Sequence, residues 1–311
     1  MTPLTSSVVV CTASHERAGL LLECVESILR GTRRPDELFV VVDGNPALAA
    51  DLADRLPGSV RLLEPERRGL SHGRNAGVRA STADVVAFVD DDVTVGATWL
   101  SSVMDAFAAD ERLLGAGGPI EPRWGADRRW LCDELLWIVG CTYGGHRRDA
   151  GPIRNPIGAN MSFRRRELVA VGGFAPRFGK RGNTLGTCEE TELSLRVERA
   201  NGTGRIHYVP DARVRHFVPP ARISWRLLVR RSVSEGLAKG RLRRMYRGAA
   251  LGSEGPYVRH LVTVAVPGLV ARGVRGRDAR ALLGAVAVGA SLLLTATAFV
   301  AGAVTAREAG R

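Results

Sequence analysis

Residues 84–93 read DVVAFVDDDV. The short apolar run is a strand by its pattern, Asp84 to Val89, and it leads directly into three consecutive carboxylates, Asp90, Asp91 and Asp92. Adjacent carboxylates raise one another's pKa and are costly to keep ionised unless a cation neutralises them. A solvated acidic turn capping the next helix also fits such a triplet in isolation. The functional reading is a divalent ion, Mg²⁺ or Mn²⁺, held by carboxylates with positions left for water or phosphate oxygens.

Working outward, similar apolar runs stand at Ser7–Thr12 (SVVVCT), Leu38–Val42 and Val60–Leu63. Between them, Ala18–Leu29 puts Leu21, Cys24, Val25 and Ile28 on one helical face, and Arg74–Arg79 belongs to a second helix. Strands alternating with helices at this spacing predict an α/β fold with a Rossmann-like, mainly parallel sheet. Ligands of such sheets bind beyond the carboxyl ends of the strands. Thr12, Asp43 and the Asp90–Asp92 run all follow apolar runs, so one crevice can gather them.

Residues 115–186 are rich in Gly, Pro, Trp and Arg and are expected to face substrate. Glu189–Ala200 (EETELSLRVERA) reads as a helix with Glu189, Glu190 and Glu192 in its first turn. Carboxylates there suit the helix dipole, and one facing the crevice is placed to act as a general base. Extended chain returns at 206–209 and 211–217, with His216 a candidate ligand of a metal or diphosphate, although a lone histidine is more often structural.

Charge is unevenly spread along the 311 residues. Residues 1–150 carry 16 basic and 22 acidic side chains, residues 151–220 carry 12 and 6, and residues 221–311 carry 16 and 4, summing to a net +12. A basic C-terminal third suits an anionic partner, nucleic acid or an anionic membrane face. Ala281–Val304 is an uncharged run longer than the roughly 20 residues a spanning helix needs, which points to a transmembrane helix. A buried Ala/Gly-rich core helix is the plainer reading. Arg272, Arg275, Arg277 and Arg280 precede the run, while Arg307 and Arg311, with Glu308, follow it, so the positive-inside rule places the preceding domain in the cytoplasm as a single-pass protein of the cytoplasmic membrane. The start, MTPLTSSVVVCTAS, has a strand's apolar run rather than a signal peptide's. The basic 221–247 stretch, with Trp225 and Leu228 among arginines, fits an interfacial helix or a helix packed on the domain. Pro267 and the short uncharged run 261–271 argue against a second full span. Five cysteines without a C-x-x-C pair read as reduced thiols.

In their order along the chain, SVVVCT at 7–12, VVVDG at 40–44, GLSHGRNAG at 69–77 and FVDDDV at 88–93 resemble the nucleotide-binding half of family 2 glycosyltransferases of the GT-A fold. NPIGANMSFRR at 155–165, GGF at 172–174, CEETEL at 188–193 and ARVRH at 212–216 resemble the acceptor half. The resemblance implies a GT-A domain over 6–220, with a nucleotide-binding half 6–115 and an acceptor half 116–220. An interfacial segment 221–256, a membrane-proximal segment 257–280 and the transmembrane helix 281–304 complete the expected organisation. It further implies that Thr12 and Ala13 lie against the nucleoside, Asp43 bonds the base, and Arg74, with Asn75 in its turn, approaches the donor. Asp90 and Asp92 match the family's D-x-D motif, Asp90 towards ribose and donor sugar, Asp92 on the metal, with Asp91 between them on the donor side. His216 is implied beside metal and diphosphate, and Glu190 as the base of an inverting enzyme, with Glu189 kept as a second candidate because Glu replaces the usual Asp at 190.

WLCDELLWIVGCTY at 130–143 is similar to a subgroup acting on polyprenyl-phosphate-linked sugars, which implies a lipid-linked acceptor at the membrane. The expected partners are thus a UDP-sugar donor with Mn²⁺ or Mg²⁺ on the carboxylates and a lipid-linked or envelope glycan acceptor, without nucleic acid. A dinucleotide oxidoreductase is disfavoured because CTASHE, not G-x-G-x-x-G, follows the first strand. A sugar nucleotidyltransferase is disfavoured as well, because the Gly/Arg-rich phosphate loop expected after the first strand is absent. A non-catalytic, membrane-tethered binding protein on the same fold is the rival of a different class, although the acidic N-terminal half would repel a polyanion.

Overall fold

The computed structural model describes residues 3–178, 187–246 and 254–305. Arg307, Glu308 and Arg311, on which the positive-inside argument partly rests, lie outside them, as do residues 179–186 of the expected substrate-facing segment and 247–253 of the basic stretch. The described chain forms two compact units: the residues up to Glu121 together with Arg148–His216, and Pro122–Arg147 together with those from Phe217 onwards.

The first unit is built on the expected strands. β1 (Ser6–Thr12), β2 (Glu37–Val42), β3 (Val60–Leu63) and β4 (Val85–Asp90) pair in parallel in the order β3-β2-β1-β4. Val8, Val9, Val10, Leu38–Val42 and Val85–Val89 are all buried, as a parallel sheet covered on both faces demands. The crossovers are α1 (Ala18–Leu29), α2 (Pro46–Arg55) and α3 (Leu70–Ala80). α1 buries the predicted face, Leu21, Cys24, Val25 and Ile28, and α2 starts on Asn45, whose side chain accepts from Leu48 N–H at 3.1 Å. α3 crosses close over β1, and a Cβ on Gly77 would lie 2.5 Å from Val9 Cγ1. Gly77→Ala therefore forces helix and sheet apart and is expected to destabilise the unit by about 1–3 kcal/mol, read as a lower denaturant midpoint.

The segment after β4 holds more regular structure than its composition suggested. After β5 (Val93–Val95) and α4 (Trp99–Ala109) come β6 (Gly115–Gly117), β7 (Ile120–Trp124), the two-residue β8 (Gly151–Pro152), β9 (Asn160–Arg164) and α5 (Arg165–Ala170). β9 runs antiparallel between β4 and β6, extending the main sheet beyond its parallel half. β6 consists of GAG because Phe163 of β9 occupies the space above it: a Cβ on Gly115 would sit 2.7 Å from that ring. α6 (Glu189–Asn201), β10 (Ile206–Tyr208) and β11 (Val214–Val218) follow, β10 pairing parallel to β6 and antiparallel to β8. β11 pairs antiparallel to β5, setting His216 opposite Val93. The core gathers Phe39, Phe88, Met161, Phe163, Phe174 and Leu193, with Phe88 and Phe174 edge to face at 5.2 Å.

The second unit joins Pro122–Arg147, from within the expected acceptor half, to the C-terminal helices from Phe217 onwards. The physical reason is aromatic packing: Trp130 stacks on Trp225 at 4.5 Å, Tyr143 meets Tyr257 edge to face, and Tyr257 Oη donates to Glu134 C=O at 2.6 Å. Its helices are α7 (Trp225–Met245), α8 (Glu254–His260), α9 (Val266–Arg275) and α10 (Ala279–Thr305), with a π-helical turn at Leu261–Ala265 joining α8 to α9. Ser224 caps α7, accepting from Leu227 N–H. Lys239 ties α7 to α8 by pairing with Glu235 at 3.2 Å and Glu254 at 3.0 Å.

Candidate active site

The sheet delivers the acidic triplet as the sequence foretold. Asp90 ends β4 opposite Cys11 of β1, and Asp91 and Asp92 form the turn into β5. β11, paired to β5, carries His216 alongside, with His216 Nε2 2.9 Å from Asp92 Oδ1. Ligand atoms of Asp90, Asp92 and His216 all lie within 4.8 Å of one another. Asp92 is 3% exposed and His216 2%, while Asp90 is partly open. Two carboxylates and an imidazole, buried on one side and open on the other, form a donor set that fits a divalent cation such as Mn²⁺ or Mg²⁺ and leaves positions for phosphate oxygens.

Asp91 points elsewhere. At 4% exposed, it accepts from Thr12 Oγ1 at 2.7 Å and pairs with Arg17 at 2.7 Å, so it anchors the turn. Burial pushes its carboxyl up, the Arg17 guanidinium pulls it back, and Asp92 adds to the rise. Arg17, which also reaches Asp92 Oδ2 at 3.3 Å, is the counter-charge that sequence reasoning missed. Its signal was available: a lone arginine five residues after Thr12, in the turn that feeds α1 from the strand end.

A second network joins the two acidic groups. Arg74, buried on α3, pairs with Asp90 at 3.3 Å and with Glu189, and donates to Gly158 C=O at 3.1 Å. Burial alone would lower the guanidinium's pKa; the carboxylates of Glu189 and Asp90 reverse that and hold it above its ordinary value. Ser71 Oγ donates to Glu189 at 2.6 Å, so both oxygens of this buried carboxylate are engaged. Glu189 is thereby a structural partner of Arg74, whereas Glu190 is only partly buried and adds to the field at Arg74. Cys188, at φ 66°, bends the chain into α6 immediately before both glutamates. The neighbouring Cys11 thiol is pushed up to about 12, chiefly by burial, which keeps it protonated and inert.

The remaining expected donor residues divide. Ala13 is exposed at the end of β1, with its C=O accepting from Asn45 Nδ2 at 3.1 Å. Asp43, half-buried after β2, accepts from Gly69 N–H with both oxygens, at 3.0 and 2.9 Å, and so fixes the start of α3. Thr12 is buried and its hydroxyl is committed to Asp91. Asn75 is not in the crevice network: its amide closes a two-sided bond with Phe174, donating to the C=O at 2.9 Å and accepting from the N–H at 2.8 Å. Asn75 thus clamps α3 to the Gly172–Phe174 turn.

Known proteins share the family and fold of this chain. The family model for glycosyl transferase family 2 matches residues 7–171. The chain is 33% identical over 265 residues to the glucosyl-dolichyl phosphate glucuronosyltransferase of Haloferax volcanii, covering 84% of each chain. It is 28% identical over 203 residues to the succinoglycan biosynthesis protein ExoM of Rhizobium meliloti, covering 63% of this chain and 60% of that one. Among solved structures, the mannosyltransferase PcManGT from Pyrobaculum calidifontis, in complex with GDP-Man and Mn²⁺, superposes with a TM-score of 0.57 over 98% of this chain and 88% of that one, at 17% identity. GalNAc-T7 with UDP, GalNAc and Mn²⁺ gives 0.56 over 80% and 51%, also at 17% identity. The GT-A fold and the sequence match together make this chain a glycosyltransferase and a member of glycosyl transferase family 2.

Proposed function

We propose that the chain is a metal-dependent, inverting glycosyltransferase that moves a sugar from a UDP-sugar to a lipid-linked acceptor at the membrane. The observation that carries this reading is the convergence of Asp90, Asp92 and His216 beyond the carboxyl ends of the central strands, where α/β sheets bind nucleotides. Asp92, Asp90 and His216 would hold Mn²⁺ or Mg²⁺, which when bound neutralises charge developing on the leaving diphosphate. Ala13 and Asp43 border the space for the nucleoside, and Asp90, oriented by Arg74, faces the ribose and donor sugar.

Glu190 takes the proton from the acceptor hydroxyl as its oxygen bonds to the anomeric carbon. The bond from that carbon to the nucleoside diphosphate breaks on the opposite face, so a single displacement inverts the configuration. The UDP assignment follows the sequence resemblance and the uridine nucleotide bound by GalNAc-T7; a GDP donor, as bound by PcManGT, is the competing choice. The lipid-linked acceptor is supported by the Haloferax relative, whose name specifies a dolichyl phosphate substrate. The second unit, with a helix long and apolar enough to cross a bilayer, is the membrane-facing part, and the catalytic unit works on the cytoplasmic side.

The test is transfer by the purified full chain from UDP-sugars to a polyprenyl-phosphate-linked sugar, with the new linkage assigned by NMR. An anomer opposite to that of the donor is expected. Retained configuration would remove the single-displacement mechanism, and transfer from GDP-sugars alone would replace the donor.

A further inference from the structure

The apolar C-terminal helix is not a lone rod. α7 and α10 run parallel in a fixed register: Ser232 Oγ meets Ser291 Oγ at 2.9 Å, and Arg244 donates to Ala303 C=O at 3.2 Å, each pair 59 residues apart. Between these points the backbones nearly touch. A Cβ on Gly236 would lie 2.4 Å from Thr295 O, on Gly240 2.2 Å from Phe299 O, and on Gly302 2.3 Å from Leu237 O. Small residues on both helices admit this approach, and any side chain there would separate them. Arg244 also donates to Val304 C=O at 3.3 Å, so it caps the end of α10 and must travel with it.

The register decides how deep α7 goes. Through the offset of 59, Arg230 and Arg231 stand beside residues 289 and 290 of α10, Glu235 beside 294 and Lys239 beside 298. The midpoint of Ala279–Thr305 is residue 292. Were α10 to cross a bilayer upright, Arg231 and Glu235 would flank the middle of the hydrocarbon, roughly 15 Å from either headgroup layer. That is farther than an arginine stem reaches, and although Lys239 pairs with Glu235 and Glu254, Arg226, Arg230 and Arg231 leave α7 a net positive charge that is strongly unfavourable at this depth. α7 cannot follow α10 across, and α10 cannot cross without abandoning α7.

Resting on the membrane-facing reading of this unit, we infer that α7 and α10 bind an anionic bilayer surface as a paired monotopic anchor, with α10 lying in the interface instead of spanning it. α10 turns outward a continuous apolar stripe, Leu282, Leu283, Val286, Leu293, Val300 and Val304, each at least 40% exposed. Its length, about 40 Å, gives a long line of insertion in the plane of the interface. α7 brings seven basic side chains against one acidic, a charge complement to anionic headgroups, and Trp225 on it is exposed. The anchor and the catalytic unit then stay on one side of the membrane, where a lipid-linked acceptor presents its phosphate and sugar.

The experiment uses the full chain in sealed inverted membrane vesicles from the expressing cells, with single cysteines introduced as Asp105→Cys, on the exposed face of α4, and Thr305→Cys, at the end of α10. The unsubstituted chain, whose cysteines are buried or half-buried, sets the background. A membrane-impermeant maleimide is expected to label both sites without permeabilisation. Labelling of Thr305→Cys that appears only after permeabilisation, while Asp105→Cys reacts before it, would show a spanning helix and overturn the inference while leaving membrane attachment intact. A chain that stays in the soluble fraction, as a monomer or as a dimer joined through the stripe, would overturn both the inference and the membrane-facing reading.

Discussion

Glu190→Gln is expected to lower kcat by about 10²–10⁴-fold, the contribution of a positioned general base, with donor affinity unchanged. Glutamine preserves the shape of the first turn of α6 and removes only the capacity to accept a proton. Glu189→Gln should behave differently, because its carboxylate is buried against Arg74 and Ser71. Removing one charge of a buried pair typically costs about 3–5 kcal/mol of stability. Asp90 still faces Arg74 in that variant, which should hold the loss towards the lower figure. Single-turnover kinetics on the folded fraction separates the two. If Glu190→Gln keeps near-normal kcat and Glu189→Gln loses it per folded molecule, the base is Glu189 and the buried ion pair must open during the reaction.

Asp92→Asn is expected to reduce kcat/KM by about 10²–10³-fold or more, by withdrawing one ligand charge from the site where diphosphate charge develops. His216 and Arg17 both lean on this carboxylate, so the substitution also loosens their placement. Asp91→Asn should act through the fold instead, since Asp91 is occupied by Thr12 and Arg17. A KM-against-kcat comparison of the two variants across a Mn²⁺ titration distinguishes them: only Asp92→Asn should shift the metal dependence.

β1, β2 and β4 of the parallel half were legible because they are buried on both faces and so appear as unbroken apolar runs, VVVC, LFVVV and VVAFV. β6 and β9 were not. GAG carries no apolar pattern, and it becomes a strand only because Phe163, 48 residues later, covers it. The division of the chain was hidden for the same reason, since Trp130 finds Trp225 across nearly a hundred residues. At the site, residue types and order pointed to Asp90, Asp92 and His216, and the sheet brings them together. Which way each side chain turns could not be read. Asp91 lies between two crevice-facing carboxylates yet points to Thr12, and Asn75 follows Arg74 yet bonds Phe174, because a turn and a helix send neighbouring residues to different faces. The apolar run 281–304 was visible as a possible span, but the glycines that dock it on α7 acquire that meaning only from the register between the two helices.

As proposed, the Asp90–Asp92–His216 cluster binds a nucleoside diphosphate through a divalent ion. The most direct measurement is the thermal unfolding midpoint of the full chain with UDP, in Mn²⁺ and in EDTA. A ligand at a hundred times its Kd stabilises the native state by about 2.7 kcal/mol, which for a unit of this size is roughly 5–10 °C. That shift is expected in Mn²⁺, absent in EDTA, and lost in Asp92→Asn. An equal shift in EDTA, or none with any nucleoside diphosphate, would contradict it.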